Sequence, residues 1–456
     1  GTLTLSGNIS HTGGTTINGG PLKAAINQAF GSSDATVNLN GGWMNLNGYS
    51  QTLAVVTGST SSSIQGGTGL ISMLTLGSGN ASSSFAGELS GNLALVKIGT
   101  GTLTLSGAVT MTGVITVQEG TLDLSNATLG SGTRINLLPG AHFIPPASGL
   151  PASTKIYVNS EKLAPGTWGA PGSVAAGTAQ YESSVLAGST VMTVPDTGLS
   201  NHERWKTLKY GIFSHYNAYM TGVEDVNAAA NAFDAVAYAN DLATAGVQYV
   251  VWTAWHANMF PMFPSQAAAK YGYGSRCSTR DTVGDMIDAV KTRGIRVYLY
   301  THPYQPLTND LALHNNFINE LYAELVDRYG SRIDGLWIDE NQFNGDQDSL
   351  VDYKRLMTTI KEHDPEMVTM QNGGQLYTVD MGGPERVHSW NFGWSECKYN
   401  YVMPGCRPQV DDMLGTTVLA ASANFEGGGV QRSIDGTANG GLADTTRIFP
   451  LLPYRA

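Results

Sequence analysis

The sequence predicts a multidomain protein in which an N-terminal all-β solenoid, of parallel β-helix type, is followed by an α/β domain of (β/α)8 barrel type. Three observations carry this expectation. Residues 1 to about 195 are built from Gly, Ser, Thr, Asn and short alternating apolar stretches, with hardly any charge. Within them the string Gly-Thr-Leu-Thr-Leu-Ser-Gly occurs at Gly1–Gly7 and again at Gly101–Gly107. From about Asn201 onward, charged and aromatic residues appear and short apolar runs alternate with amphipathic ones. The expected division is residues 1–140 as β-helical repeats, 141–200 as a closing β-segment and linker, and 201–456 as the barrel.

In the first region each copy of the string is followed by a second alternating strand (Thr15–Asn18, Val114–Gln118) and then by Gly-x-Leu. One such coil cannot bury its own inner Leu, Val and Ile residues, whereas stacked coils share a continuous apolar interior. A pair of β-sandwich domains is the alternative. Prolines at 145, 146, 151, 165, 171 and 195 mark the way out of the repeats. The stretch from Phe85-Ala86-Gly87-Glu88-Leu89-Ser90-Gly91 through Lys97–Gly107 to Gly120-Thr121-Leu122 resembles the autotransporter-associated β-strand repeat. That resemblance covers most of residues 1–140. It implies a β-helical passenger architecture and an extracellular or bacterial cell-surface location, with further coils expected ahead of Gly1.

In the second region the expected elements are a strand at 210–215, a helix at about 228–245, a strand at 249–256, a helix at 281–293, a strand at 296–302, a helix at 310–329, a strand at 335–339, a helix at 348–363, and strands at 367–372 and 387–390. Such alternation implies a parallel sheet with helices on its outside, and residues 201–456 match the ~250 residues of a closed barrel. Two further strands are expected near Val418–Ala423 and the C-terminus. An open doubly wound sheet is the alternative, disfavoured because no Gly-rich phosphate loop follows the first strand.

Composition removes several function classes. Charged residues make up 13% of the 456 residues and the net charge is -11, so there is no basic field for nucleic acid or an anionic membrane. No apolar run approaches the ~18 residues needed to cross a bilayer, and no signal-like segment stands at Gly1. Cys277, Cys397 and Cys406 are too few for a disulfide framework or a metal-ligand pattern. A Cys397–Cys406 bridge and three free thiols both remain open, and no metal or cofactor is expected.

The stretch Ile333-Asp334-Gly335-Leu336-Trp337-Ile338-Asp339-Glu340 reads as a buried strand ending in two carboxylates. In a barrel the C-terminal strand ends line the catalytic face. Other strand ends there carry His215 and Tyr216, Trp255 and His256, His302 and Tyr304, Asn372, and Trp390. Aromatic faces mixed with His, Asn and carboxylates suit a carbohydrate, which offers apolar ring faces and many hydroxyls. Glycoside cleavage generally uses two carboxyl groups. Asp339 is the natural first; Glu340, Glu385 and Glu396 are candidates for the second. Glu340 is the weakest of these, because it directly follows Asp339 and cannot readily face the other side of the same bond.

Several of these motifs together resemble glycoside hydrolase family 29, the α-L-fucosidases. They are Arg204-Trp205-Lys206 with Tyr210-Gly211-Ile212-Phe213-Ser214-His215-Tyr216, Ala245–His256, Arg280-Asp281-Thr282-Val283-Gly284 with Arg293-Gly294, and Asp334–Asp339. The resemblance runs from about Arg204 to Ile434. It implies a retaining hydrolase with Asp339 as nucleophile, Glu385 as acid/base with Glu396 as the alternative, and His215 and His256 holding sugar hydroxyls. Tyr216, Trp255, His302 and Trp390 complete the expected substrate site, and the partner is a fucosylated glycan. The chain departs from the family pattern where Ala257, Asn258 and Met259 follow His256 in place of a His-Asp-Gly run. The loop after Tyr216 is also shorter, and Glu340 replaces a Gly. Two readings therefore stand beside an exo-acting α-L-fucosidase: another retaining α-glycosidase, and a surface adhesin that binds glycan without turnover.

Overall fold

The structure is a computed structural model. It describes residues 1–373 and 381–382, apart from 8, 10, 12, 206, 209, 210, 218–224, 257, 258, 304–306 and 342–350. The chain divides into two compact units, the first holding Gly1–Gly198 and the second beginning at Leu199.

The first unit is a β-solenoid. Successive coils each add one strand to three parallel sheets. One sheet runs from Leu3–Leu5 to Thr128–Leu129, another from Thr15–Ile17 to Ala141–Ile144, and the third from Gln51–Leu53 to Lys155–Val158, where the antiparallel strand Glu161–Lys162 ends it. Inward residues stack on their equivalents one coil away, as in Leu103 paired with Leu122 and Ile115 with Leu95. The repeated string shows what stacking contributes. In the interior copy Leu103 and Leu105 are 0% and 1% exposed, whereas Leu3, at the end of its sheet, is 61% exposed. Coil spacing also dictates small residues, since a Cβ on Gly107 would lie 2.1 Å from the Gly87 carbonyl oxygen. The stacked sheets continue past residue 140. Gly166–Gly169, Tyr181–Glu182 and Val191–Val194 then form a separate three-stranded sheet.

Among the described residues of the second unit six strands pair in parallel and in chain order: β1 (Gly211–Ser214), β2 (Tyr249–Thr253), β3 (Arg296–Thr301), β4 (Gly335–Asn341), β5 (Val368–Gly373) and β6 (Met381–Gly382). The helices are α1 (Asn201–Trp205), α2 (Val226–Ala232), α3 (Ala235–Thr244), α4 (Gln266–Lys270), α5 (Thr282–Lys291), α6 (Leu311–Tyr329) and α7 (Tyr353–His363). Strand alternation sorts the side chains onto two faces. Val250, Trp252, Val297, Leu299, Leu336 and Ile338 join the large core that includes the apolar faces of the helices. Tyr249, Val251, Tyr298, Tyr300, Trp337 and Val368 gather on the other face around Trp205. Gly335 makes room on that face, because a Cβ there would lie 2.8 Å from the Tyr298 ring.

The helix expected at 228–245 is two helices. Asp234 accepts hydrogen bonds from the Val236 and Ala237 amides and so starts α3 afresh. The Arg280 guanidinium meanwhile donates to the carbonyls of Ala230 and Phe233 at the end of α2. The strand expected at 387–390 and the two near Val418–Ala423 and the C-terminus lie outside the described residues, as do Cys397 and Cys406. Cys277 is a buried free thiol, and no described helix is long and apolar enough to cross a membrane.

Candidate active site

Because the strands are parallel, the ends of β1 to β4 open on one edge of the sheet. Asp339 follows Gly335 and Trp337 along β4 at period two, which puts it on the face of Tyr298 and Tyr300. Immediately beyond Ile338 the pairing of β4 with β5 shifts register before Asn341. Bulges of this kind re-aim side chains beside functional sites. The Asp339 carboxylate is 9% exposed, and the Tyr300 hydroxyl donates a hydrogen bond to its Oδ2.

Tyr300 is the hub of the cluster. Its ring lies 4.5 Å from that of His215, edge-on, and 5.3 Å from that of His256, stacked. His256 in turn stacks on His302 at 5.7 Å and meets His215 edge-on at 5.0 Å. His215 Nδ1 lies 2.6 Å from Thr253 Oγ1, whose hydroxyl is also 3.3 Å from the Ser214 carbonyl oxygen. Burial, reinforced by the neighbouring His256 and His302 rings, holds the His215 pKa well below its ordinary value.

A pH dependence follows from that shift. The unfolded chain takes up a proton at His215 below about pH 6.5, while the folded state refuses it, so stability is lost as pH falls below that value. Urea midpoints at pH 7.5 and 5.5 should show a decline that is smaller in His215→Asn, which keeps a donor near Thr253 without the titration.

The scaffold beneath the cluster is tied by hydroxyls. Tyr322 donates to Thr301 Oγ1 at 2.7 Å and Thr301 donates to the Trp337 carbonyl at 3.1 Å, so α6, β3 and β4 are linked. At the opposite end of β4 a second carboxylate, Asp334, does structural work. It accepts from the Val297 amide and pairs with Arg296, each at 3.3 Å.

The structure brings Asp339, His215, His256 and His302 together. It places two other expected sugar contacts elsewhere. The Tyr216 hydroxyl donates to the Ala229 carbonyl at 2.9 Å while its ring packs on Phe233 and Trp252, in the layer between sheet and helices. Trp255 is fully buried against Phe263 and Tyr322, and its indole N–H donates to the His302 carbonyl at 3.1 Å. It therefore supports a site residue rather than lining the site. Glu385, Glu396, Trp390, Tyr304, Ala257 and the side chains of Glu340 and Asn372 lie outside the described residues. Sequence reasoning missed Tyr300 and Thr253, although counting back two residues from His302 along β3 reaches Tyr300.

Tyr300→Phe should keep the fold and lower kcat about 10- to 100-fold, the loss of one charge-assisted hydrogen bond of ~1.5–3 kcal/mol to the carboxylate. Steady-state kinetics beside an unchanged thermal transition checks this.

Comparison with known proteins bears on the same region. Residues 190–399 match the family model for alpha-L-fucosidase. The matched segment takes in the second unit's described strands and the histidine–aspartate cluster. Residues 1–24 and 95–124, the two segments that carry the repeated string, match the passenger-associated-transport repeat. A rice (Oryza sativa subsp. japonica) protein described as "Putative alpha-L-fucosidase 1" is 30% identical over 131 residues, 27% of this chain, and the match spans 25% of the relative's length. Among solved structures, a Ruminococcus gnavus fucosidase in complex with fucose is similar at 15% identity and TM-score 0.31, over 42% of this chain and 47% of that one. A Bacteroides ovatus structure described as a "putative alpha-L-fucosidase" is similar at 19% identity and TM-score 0.31, over 40% of this chain and 34% of that one. These scores are too low to argue fold or site from.

Proposed function

We propose that the fucosidase-like domain is a retaining glycoside hydrolase that removes α-L-fucose from glycans, built on a closed (β/α)8 barrel and carried outside the bacterial cell on the solenoid. The observation that carries this reading is the Asp339 carboxylate, nearly buried at a strand end, bonded by Tyr300 and grouped with three histidines. The family match and the passenger repeat support the sugar class and the location.

In this mechanism Asp339 attacks the anomeric carbon as the bond to the leaving oxygen breaks, and Glu385 gives that oxygen its proton. Glu385 then takes a proton from water, whose oxygen displaces Asp339 and restores both carboxyl groups. His215 and His256 are placed as hydrogen-bonding partners for sugar hydroxyls. Two-carboxylate chemistry of this kind requires no metal, and its carboxyl groups lie about 5–5.5 Å apart.

A panel of aryl glycosides tests the reading, with aryl α-L-fucoside expected to be the best substrate. A glycan-binding module without turnover is the competing reading, favoured by Ala257 where the resembled family carries a second His, and hydrolysis of no glycoside would support it. The acid/base is assigned by leaving group. Glu385→Ala should lose about 10²- to 10⁴-fold on natural linkages, keep most activity on substrates with a good leaving group, and respond to azide. If Glu396→Ala shows that pattern and Glu385→Ala does not, the acid/base is Glu396.

A further inference from the structure

We propose that Arg276, acting through the backbone of Met259, is a positioning residue that sets the orientation of His256 in the site. Met259 has a φ of +54°, a left-handed backbone that L side chains with a long stem adopt reluctantly. It is nonetheless 1% exposed and part of the large core, so its side chain is anchored while its backbone is strained. Two hydrogen bonds define that backbone. The Met259 amide donates to the His256 carbonyl at 2.8 Å, which ties it directly to the histidine. The Arg276 Nε donates to the Met259 carbonyl at 3.2 Å, and its guanidinium lies 4.3 Å from the centre of the Phe260 ring.

Arg276 is itself held in place. It ends the short 3-10 turn Gly274–Arg276, its amide donates to the Tyr273 carbonyl at 3.0 Å, and the Tyr273 ring packs on Phe317 of α6. The same segment grips the loop twice more, through Ser278 N–H to the Pro261 carbonyl at 2.9 Å and Thr282 N–H to the Met262 carbonyl at 3.0 Å. Strain at Met259 is thus opposed by these bonds, and its amide holds the carbonyl of the residue whose ring stacks on Tyr300 and His302. Strained backbone persists where surrounding structure over-determines it, and its occurrence next to a site residue is the observation that points to function. Without the Arg276 bond the Met259 backbone can relax, and His256 loses its defined stack.

The inference concerns the site read above as that of a hydrolase, and its test separates the two. The full chain has nine histidines, and ring-labelled histidine NMR with His256 assigned by His256→Gln reads the stack directly through ring-current shifts. In Arg276→Ala the His256 signal should move toward the free-histidine position while those of His11 and His142 in the solenoid stay fixed, and kcat on aryl α-L-fucoside should fall about tenfold with KM changed less. Arg276→Lys, which keeps the charge but not the planar stack on Phe260, should move the signal part-way, and it carries the test if the alanine variant does not fold. A His256 signal unchanged in both variants overturns the proposal, whatever happens to activity. A shifted signal in a protein whose wild type hydrolyses none of the glycosides upholds the positioning role and removes the hydrolase reading.

Discussion

Asp339→Asn should abolish turnover of every glycoside, by about 10⁴- to 10⁶-fold, as removal of a nucleophile does elsewhere. The amide is nearly isosteric, so the packing around β4 is preserved and a Tyr300 hydroxyl still finds an oxygen acceptor there. What is lost is the charge that attacks the anomeric carbon, and with it the covalent intermediate. Leaving-group quality therefore cannot rescue this variant, in contrast to one lacking the acid/base. Fucose should still bind, because the histidine cluster is intact. Residual activity above about 1% of wild type, measured on purified protein with an activated aryl fucoside, would show that Asp339 is not the nucleophile.

Glu324→Ala should be the most destabilising single change in the second unit, by about 3–5 kcal/mol. Glu324 lies on α6 and is 1% exposed. Its carboxylate accepts from Ser265 Oγ at 2.7 Å, from the amides of Gln266 and Ala267 at 2.9 Å each, and from Arg328 at 2.6 Å. It thereby neutralises the start of α4, whose unpaired amides would otherwise be buried without a partner. Truncation strands these donors and leaves the half-buried Arg328 guanidinium without its closest counter-charge. Glu324→Gln keeps one acceptor oxygen and should lose roughly half as much, as expected for hydrogen bonds retained without the charge. Urea unfolding followed by tryptophan fluorescence, with six of the eight tryptophans at or beyond residue 205, reports this transition. A shift of less than about 1 kcal/mol in Glu324→Ala would contradict it.

The fold was legible in the sequence wherever periodicity was strong. Leu103 and Leu105 alternate with Thr because one face of each coil is interior, and the apolar runs at Tyr249–Thr253 and Arg296–Thr301 are continuous because both faces of a parallel sheet are covered. The break between α2 and α3 was not legible, because it depends on Arg280, nearly fifty residues further along, supplying donors to the end of α2. The same division holds in the site. Asp339, His215 and His302 were expected in the site because each sits at the end of an apolar strand, and the structure groups them there. Tyr216 and Trp255 were expected there for the same reason, and the structure turns their rings into the core. Beyond a strand's last paired residue the alternation stops, and only the packing of Phe233 or Tyr322 decides which way a ring turns. Tyr300 was overlooked because a tyrosine inside a strand reads as core. Its hydroxyl reaches Asp339 only because β3 and β4 are paired in the register that sets Tyr300 beside Trp337.

The central claim, that Asp339 forms a covalent glycosyl-enzyme, is tested most directly by trapping that species. Incubation with 2-deoxy-2-fluoro-α-L-fucosyl fluoride, which slows breakdown of the intermediate more than it slows its formation, should add one fluorofucosyl mass to the intact protein. Tryptic mapping should place the label on the peptide Ile333–Lys354, with fragmentation assigning it to Asp339. A label on any other carboxylate, or an active enzyme that accumulates no adduct and releases sugar with inverted anomeric configuration, would contradict the account.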